Sequence, residues 1–218
     1  MAGARVSTAR ERVDRSPGWP ATLRDGPIEV RPLRLGDARA WQRVRSESAG
    51  WLIPWEATRP GRRAPTRPSV VAFAFNWWRL RQQAAEGRAL PFAVTYRGRF
   101  VGQVTVGGVM REGGGSAHVG YWVEQGYTGR GIIPTALALV VDHCFGPVGL
   151  ERIEANVRPE NDRSRRVVEK LGFEPYGVRH RFLYIDGEWR DHICYTIRAA
   201  DVPEGMVARW HARRAAPA

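Results

Sequence analysis

Residues 118–141, HVGYWVEQGYTGRGIIPTALALVV, constrain the fold more than any other part of the chain. An alternating apolar segment, typical of a strand, runs into a turn that contains Gly126, Gly129 and Gly131, and then into apolar residues at helical spacing. Glycine leaves the backbone N–H groups of such a turn open to close approach, and the positive end of the following helix points at the same place. The sequence therefore predicts a strand, an anion-binding turn and a helix, in that order.

The order of these glycines excludes two common phosphate-binding motifs. A dinucleotide-binding fold requires G-x-G-x-x-G, whereas this turn contains G-x-x-G-x-G. A Walker A loop requires lysine and then serine or threonine after the last glycine, whereas Ile132 and Ile133 follow here. A plain tight connection between strand and helix remains the alternative interpretation of the turn.

The remainder of the chain alternates between strand and helix patterns. In order, these are one strand, two helices, three strands, a helix, a strand, a helix and two strands. Residues typical of turns and helix caps separate them: Asp37, Gly98, Asn161, Gly172, Asp186 and Gly187. This order predicts an α/β (α+β) domain with a mixed, mostly antiparallel sheet of about seven strands and about four helices.

Composition predicts three parts of the chain: an Arg/Pro-rich N-terminal extension at 1–25, one domain at 26–199 and a C-terminal helical tail at 200–218. The 34 Lys+Arg residues outnumber the 22 Asp+Glu residues and give a formal net charge of +12. A basic surface attracts polyanions such as a ribosome or a multiply phosphorylated cofactor. An arginine bias from a GC-rich genome is the alternative explanation, and we expect no direct DNA binding.

The cysteine and histidine patterns predict no metal site and no disulfide. Cys144 and Cys194 lie in apolar or alternating segments without CxxC spacing, which indicates reduced core thiols. The histidines likewise lack the spacing of metal ligands. The longest apolar run is too short for a membrane span and the N-terminus lacks an apolar signal core, so we expect a cytoplasmic protein without membrane contact.

Three stretches together resemble the GNAT superfamily of acetyl-CoA-dependent N-acetyltransferases, and within it the ribosomal-protein alanine N-acetyltransferases of the RimJ/RimL type. AHVGYWVEQGYTGRGIIPTAL resembles the family's fourth strand and pyrophosphate loop. RIEANVRPENDRSRRVVEKLGF resembles its Asn-x-x-Ser helix followed by Leu-Gly-Phe, and IDGEWRDHICYTI resembles its ending. The resemblance covers residues 26–199 and implies the GNAT fold, with acetyl-CoA as the co-substrate.

The resemblance also implies where acetyl-CoA binds. The backbone of 121–123 would pair with the pantetheine arm, the N–H groups of 126–131 would bind the pyrophosphate, and Asn161 would hold the pantetheine amides. Gly126 stands where the superfamily usually has Gln or Arg, so a side-chain contact is missing there. The implied cofactor-binding residues are Tyr121, Trp122, Val123, Gly126, Tyr127, Thr128, Gly129, Arg130, Gly131, Ile132, Asn161 and Ser164.

Ser164 is the candidate proton donor to the departing thiolate. Many family members have a tyrosine general acid seven residues after the helix asparagine, but here that residue is Val168. A hydroxyl three residues after Asn161, that of Ser164, resembles the alternative found in the RimL-type branch. The alternative interpretations are that Asn161 is only a helix cap and Ser164 an ordinary first-turn serine.

His118 is the candidate general base. It occupies the strand position at which the family often has a carboxylate, and an imidazole with its ordinary pKa of about 6.5 is mostly neutral in the cytoplasm. Glu124 and Glu112 are the rival bases, and His118 could instead be a structural residue.

These features predict acetyl transfer to a primary amine by direct attack in a ternary complex. The N-terminal α-amino group of a protein, such as a ribosomal protein, is the favoured acceptor because its pKa of about 7.7–8 leaves a useful fraction neutral. A small amine, such as an antibiotic, a polyamine or an amino acid, is the first alternative. A non-catalytic CoA- or RNA-binding module is the second, although no RNA-binding signature supports it. The sequence leaves open a monomer or a homodimer.

Overall fold

The computed structural model describes residues 17–61 and 68–216, in which eight strands form one sheet of order β1-β2-β3-β4-β5-β6-β8-β7. The strands are β1 Leu23–Asp25, β2 Ile28–Pro32, β3 Ala89–Tyr96, β4 Arg99–Met110, β5 Ser116–Val123, β6 Arg152–Val157, β7 Glu174–Ile185 and β8 Glu188–Arg198. The helices are α1 Ala38–Glu47, α2 Ala49–Leu52, α3 Val70–Ala85, α4 Ile132–Phe145, α5 Asp162–Leu171 and α6 Met206–Ala215. The expected mixed, mostly antiparallel sheet is confirmed, with one strand and two helices more than the sequence predicts.

Helices cover both faces of the sheet. The larger core lies under α4, whose segment IIPTALALVV is mostly apolar and buried. On the opposite face, α1 and α3 bury a smaller cluster that includes Val44, Phe73 and Phe100. The outer turns follow the sequence prediction: Gly98 and Gly187 have φ of 78° and 81°, the left-handed conformation that tight hairpin turns require.

Strand β1 extends the folded region into the predicted N-terminal extension. Leu23 pairs with Val30 of β2, and the ring of Trp19 packs edge-on against Phe92 at a centroid distance of 5.0 Å. A strand of three residues is too short to show the alternation that identifies strands in a sequence. Residues 17–25 thus belong to the fold, whereas residues 1–16 of the predicted extension lie outside the described residues.

Two of the predicted helix boundaries are confirmed and one is wrong. The Asn161 side chain accepts a hydrogen bond of 3.1 Å from the Ser164 N–H, and α5 ends at Gly172 in the left-handed conformation. Asp37 does not cap α1 with its side chain. Its carboxylate instead accepts bonds of 2.6 and 2.9 Å from the Arg31 guanidinium, a stronger, charge-assisted pairing.

Helix α6 lies within residues 200–218, for which the sequence predicts a helical tail, and it is docked on the domain. The Asp142 carboxylate of α4 accepts hydrogen bonds of 2.5 and 3.0 Å from the backbone N–H groups of Met206 and Val207, at the N-terminus of α6. One turn later, the indole of Trp210 donates a bond of 2.8 Å to the Thr135 hydroxyl. The two interactions fix α6 along α4, one at Asp142 near the C-terminal end of α4 and one at Thr135 in its first turn.

Strands β5 and β6 are the parallel pair of the sheet, and they separate midway. They pair at Ser116 with Arg152, Ala117 with Ile153 and His118 with Glu154. Beyond these pairs β5 stays bonded to β4, while β6 stays bonded to β8. A V-shaped opening therefore lies between residues 119–123 and 155–157.

The described residues contain no helix long and apolar enough to cross a bilayer. Within the same ranges, no three His, Cys, Asp or Glu side chains are grouped so that they could hold a metal ion. Cys144 and Cys194 are both buried free thiols.

Candidate active site

A cavity of about 1020 Å³ lies where the end of β5 meets the N-termini of α4 and α5. Every cofactor-binding residue predicted from the sequence, except Gly126, lines this cavity. Trp51 and Trp55, on and just after α2, form the opposite wall. The volume is at the upper end of the range for sites that hold a cofactor-sized ligand.

The glycine turn supplies this cavity with unpaired backbone donors. Residues Gln125–Tyr127 form a short 3₁₀ turn, and Gly129 and Gly131 follow with φ of 74° and 75°, a conformation that disfavours any other residue. Among the described residues, none accepts a hydrogen bond from the backbone N–H groups between Gly129 and Ile133. These donors and the positive end of α4 fit an anion such as a pyrophosphate.

Basic side chains surround the same cavity. They are Arg45, Arg130, Arg163, Arg166, Lys170 and Arg214. Arg130 lies over the Tyr127 ring at 5.0 Å, and Arg163 lies over the Trp51 ring at 4.1 Å, so aromatic faces hold two of these guanidinium groups in place. The lining is suited to a ligand with several phosphate groups.

Ser164 and Tyr121 form a hydrogen-bonded pair at the inner end of the cavity. The Ser164 hydroxyl donates to the Tyr121 phenol oxygen at 2.8 Å, and the phenol donates to the Ser164 carbonyl at 3.1 Å. Burial raises the pKa of Tyr121, so the phenol keeps its proton throughout the physiological range. The pair thus offers two neutral hydroxyl groups next to the opening between β5 and β6.

A second cavity of about 180 Å³ fills the opening between the separated strands. It shares Trp55, Tyr121, Asn161 and Ser164 with the larger cavity, so the two adjoin at the hydroxyl pair. Its wall is polar: the backbone of both strands faces it, and the buried Oδ1 of Asn156 has no hydrogen-bond partner among the described residues.

His192 also lines this second cavity, although its sequence context gave no sign of such a role. The residue is 3% exposed, and burial lowers the pKa of its imidazole. Its Nδ1 lies 3.1 Å from the Arg190 carbonyl oxygen, and its ring packs edge-on against Phe182.

His118, the predicted base, does not line either cavity. Side chains alternate along β5, so His118 lies on the face opposite Tyr121 and its ring covers the backbone of Gly107 and Gly108 on β4. Burial lowers the pKa of His118, an effect that the charge of Glu154 opposes.

Of the two rival bases, Glu112 lines neither cavity, and Glu124 is bound in an ion-pair network outside both. The Arg99 guanidinium donates a bond of 2.9 Å to its carboxylate, and the Arg43 guanidinium lies at 3.7 Å. This geometry gives Glu124 a role in joining α1, β4 and the end of β5, and favours other groups as the base.

Several lining residues were missed by the sequence analysis. Arg163, Arg166 and Lys170 recur at helical spacing after Asn161, a signal that marks one exposed face of α5 and could have been found. Trp210 and Arg214 reach the cavity from α6, and no local pattern could show where that helix docks. His192 and Asn156 line the same cavity from the neighbouring strands β8 and β6, which only the strand order reveals.

Comparison with known proteins agrees with this geometry. A family described as "Acetyltransferase (GNAT) domain" matches residues 28–174, more than half of the chain. Among solved structures, Mycobacterium smegmatis RimJ in complex with CoA-disulfide is 42% identical, with a TM-score of 0.86 over 90% of this chain and 96% of that chain.

Two curated bacterial proteins are also similar. The ribosomal protein uS5-alanine N-acetyltransferase of Escherichia coli (strain K12) is 28% identical over 182 residues, which is 78% of this chain and 87% of that protein. "Probable N-acetyltransferase YjcK" of Bacillus subtilis (strain 168) is 39% identical over 94 residues, 43% of this chain. That second match spans about half of the relative, 52% of its length.

Proposed function

The chain belongs to the GNAT acetyltransferase family, and from this premise we propose that it acetylates the α-amino group of a protein N-terminus. As a member of this family and a relative of RimJ, it is an acetyl-CoA-dependent N-acetyltransferase. The proposal therefore concerns the acceptor and the residues that carry out the transfer.

The observation that carries the proposal is the pair of adjoining cavities that meet at Ser164 and Tyr121. The larger one has the unpaired N–H groups and the basic lining that the phosphates of acetyl-CoA require. The smaller one has room for an acetyl group and an amine, between two strands whose backbone groups can hold them. The thioester then lies at the junction of the two.

The α-amino group is the preferred acceptor for two reasons. The relative from Escherichia coli is named for the alanine of a ribosomal protein, and a RimJ structure is 42% identical to this chain. In addition, an α-amine with a pKa of about 7.7–8 is partly neutral near pH 7, whereas only about one lysine in a thousand is neutral at a pKa of about 10.4. A site without a carboxylate base in its inner cavity suits the more acidic ammonium group.

In the proposed reaction the neutral amine attacks the thioester carbonyl directly in a ternary complex. The C–N bond forms, the C–S bond breaks, and the CoA thiolate needs a proton. The Ser164 hydroxyl supplies that proton, as its place at the junction of the cavities allows. The backbone of β5 near Tyr121 holds the pantetheine arm by edge pairing.

We further propose a cytoplasmic location and an encounter with the ribosome through the basic surface. A formal net charge of +12 favours association with the polyanionic ribosome, on which new N-termini appear. The number of subunits stays open between a monomer and a homodimer.

Release of the CoA thiol from acetyl-CoA tests the acceptor. Peptides with a free N-terminus, the same peptides with a blocked N-terminus and one internal lysine, and small amines such as spermidine are compared at equal concentration. We expect the highest kcat/KM for the free N-terminus. Faster turnover of the lysine peptide or of a small amine would reject the α-amine as the acceptor.

A further inference from the structure

We propose that His192 is the catalytic base, which takes the proton of the acceptor amine inside the small cavity between β5 and β6. The inference rests on the proposed function, since it assigns a residue to that same reaction. It replaces the expectation that His118 has this role.

Position is the first support. His192 lines the cavity that Ser164 and Tyr121 also line, so the imidazole and the proposed proton donor border the same small space. The Trp55 side chain borders that space as well, and His192 is 3% exposed. A base in this position can contact the acceptor amine at the point where the amine attacks the thioester.

The hydrogen bonds of the ring are the second support. Nδ1 lies 3.1 Å from the Arg190 carbonyl oxygen, which can only accept, so Nδ1 carries the hydrogen and donates it. The neutral imidazole then has its lone pair on Nε2. Among the described residues none forms a hydrogen bond with Nε2, so this atom is available to the amine.

The charges around the ring keep it neutral and ready to accept. Burial is the main effect that lowers the pKa of His192, and the positive charge of Arg158 adds to it. Glu160, on the same connection as Arg158, and Asp191, the neighbour on β8, oppose the shift. From β5, the cavity receives the phenol of Tyr121, which is neutral.

Asn156 completes the arrangement on the neighbouring strand. Its buried Oδ1 accepts no hydrogen bond from the described residues, yet it lines the same cavity. An amine N–H can donate to this oxygen while a second N–H points to Nε2 of His192. Asn156 is therefore a positioning residue for the nucleophile.

The proton balance of the step closes within these groups. As the nitrogen attacks, the C–N bond forms and the N–H electron pair stays on nitrogen while the proton moves to Nε2. The C–S bond breaks and the thiolate takes a proton from the Ser164 hydroxyl. The imidazolium then returns its proton to the serine oxygen, through water in the cavity, and the products are the amide and the CoA thiol.

The first test measures the pH dependence of kcat/KM for a peptide with a free N-terminus, and compares the wild type with three single variants. The wild type should rise with pH through two ionisations, that of the amine near about 7.7–8 and that of His192 below about 6.5. His192→Gln should lose the lower ionisation and about 10²- to 10⁴-fold in kcat, with CoA affinity retained.

Two histidine variants serve as comparisons. His180→Gln changes an exposed histidine that is paired with Asp191, and should keep the wild-type profile. His118→Gln should also keep the lower ionisation. If His118→Gln removes that ionisation and His192→Gln does not, the assignment to His192 is overturned.

The second test uses the wild-type protein and needs neither an acceptor nor a variant. In ¹⁵N-labelled wild-type protein at pH 7, the ring of His192 should be the neutral Nδ1–H form, and saturation with CoA should shift its resonances but not those of His180. An Nε2–H form, or a His192 signal that CoA leaves unchanged, would overturn the assignment. If the wild type acetylates no amine at all, the proposed function fails and the base assignment fails with it; an active wild type whose His192 signal does not respond to CoA overturns the base assignment alone.

Discussion

The Ser164 hydroxyl and the Tyr121 phenol exchange hydrogen bonds across the site, with 2.8 Å from the serine oxygen to the phenol and 3.1 Å from the phenol to the serine carbonyl. The first turn of α5 is thereby tied to β5. To protonate a thiolate, the serine hydroxyl has to turn away from the phenol. Tyr121 keeps its bond to the carbonyl during that movement, so the backbone stays in place.

Ser164→Ala should therefore lower kcat more than it lowers acetyl-CoA affinity. Help to the leaving thiolate is felt in the transition state and not in the bound ground state, so we expect a loss of about 10²-fold in kcat. Steady-state kinetics and calorimetry with CoA measure the two quantities. Tyr121→Phe is the matched control, because it removes the phenol but leaves the serine hydroxyl. A Ser164→Ala enzyme with normal kcat would exclude the serine from the reaction.

Gly131→Val should weaken CoA binding by at least about 1–3 kcal/mol, the effect of losing hydrogen bonds to a charged group. Valine strains a backbone at φ 75°, and its Cβ would lie 3.5 Å from Cζ2 of Trp210, which lines the same cavity. Gly126→Ala is the control in the same turn, since an added Cβ there meets no atom within 4 Å and the residue does not line the cavity. Equal CoA affinity of both folded variants would contradict the assigned phosphate site.

The bond between Trp210 and Thr135 should account for a measurable part of the stability. Trp210→Phe leaves the buried Thr135 hydroxyl without this donor, so the free energy of unfolding should fall by about 1–3 kcal/mol, as should that of Thr135→Val. In urea titrations, the double variant should lose clearly less than the sum of the two single losses. Strict additivity would show that the bond contributes nothing.

Protonation of two histidines should make the protein less stable in mild acid. The pKa values of His118 and His192 are lowered in the folded state. As the pH decreases below about 6.5, the unfolded chain therefore binds protons at these histidines before the folded protein does, and the free energy of unfolding decreases. This loss of stability stops once the pH is below the pKa values that the two histidines have in the folded state. The lowered carboxyl pKa values of Asp191 and Asp201 act in a separate window that begins below about pH 4.

The measurement is the unfolding free energy between pH 7 and pH 5. A His118→Gln, His192→Gln double variant should have a flatter dependence than the wild type in this range. An unchanged slope would mean that neither histidine titrates differently in the two states.

Removing the charge of Asp37 should destabilise the fold more than removing an exposed charge. The Arg31 and Asp37 side chains are 13% and 8% exposed, so Asp37→Asn leaves a largely buried cation without its partner and should cost about 3–5 kcal/mol. Glu47→Gln, in an ion pair whose acid is 55% exposed, should cost less than about 1 kcal/mol. Equal midpoints in thermal unfolding would contradict this difference.

Local patterns were sufficient to predict most of the fold and most of the β5 and glycine-turn residues that line the larger cavity. Turn glycines such as Gly131, and caps such as Asn161, act within a few residues, so the sequence shows them directly. Asp37 was assigned wrongly because its partner, Arg31, offered a stronger interaction than the helix end. Strand β1 was missed because three residues carry no periodicity.

The acceptor side of the site could not be predicted in the same way. His192 and Ser164 are far apart in the sequence, and they come together only because β8 lies next to β6 while β5 diverges from it. His118 was favoured because it occupies the strand position at which the family often has a carboxylate. His118 instead lies where β5 is still paired with β6, before the two strands separate, so it does not border the opening.

Helix α6 has a consequence for how the enzyme comes into operation during its own synthesis. Translation proceeds from the N-terminus, so the sheet, α4 and α5 emerge from the ribosome before α6 does. Until α6 emerges, the larger cavity lacks the wall that Trp210 and Arg214 form. The hydrogen bond between His211 and Asp25, which joins the last helix to the first strand, is also missing. We therefore expect a nascent chain to bind the acetyl donor poorly, and full affinity to arise only after translation has passed residue 215.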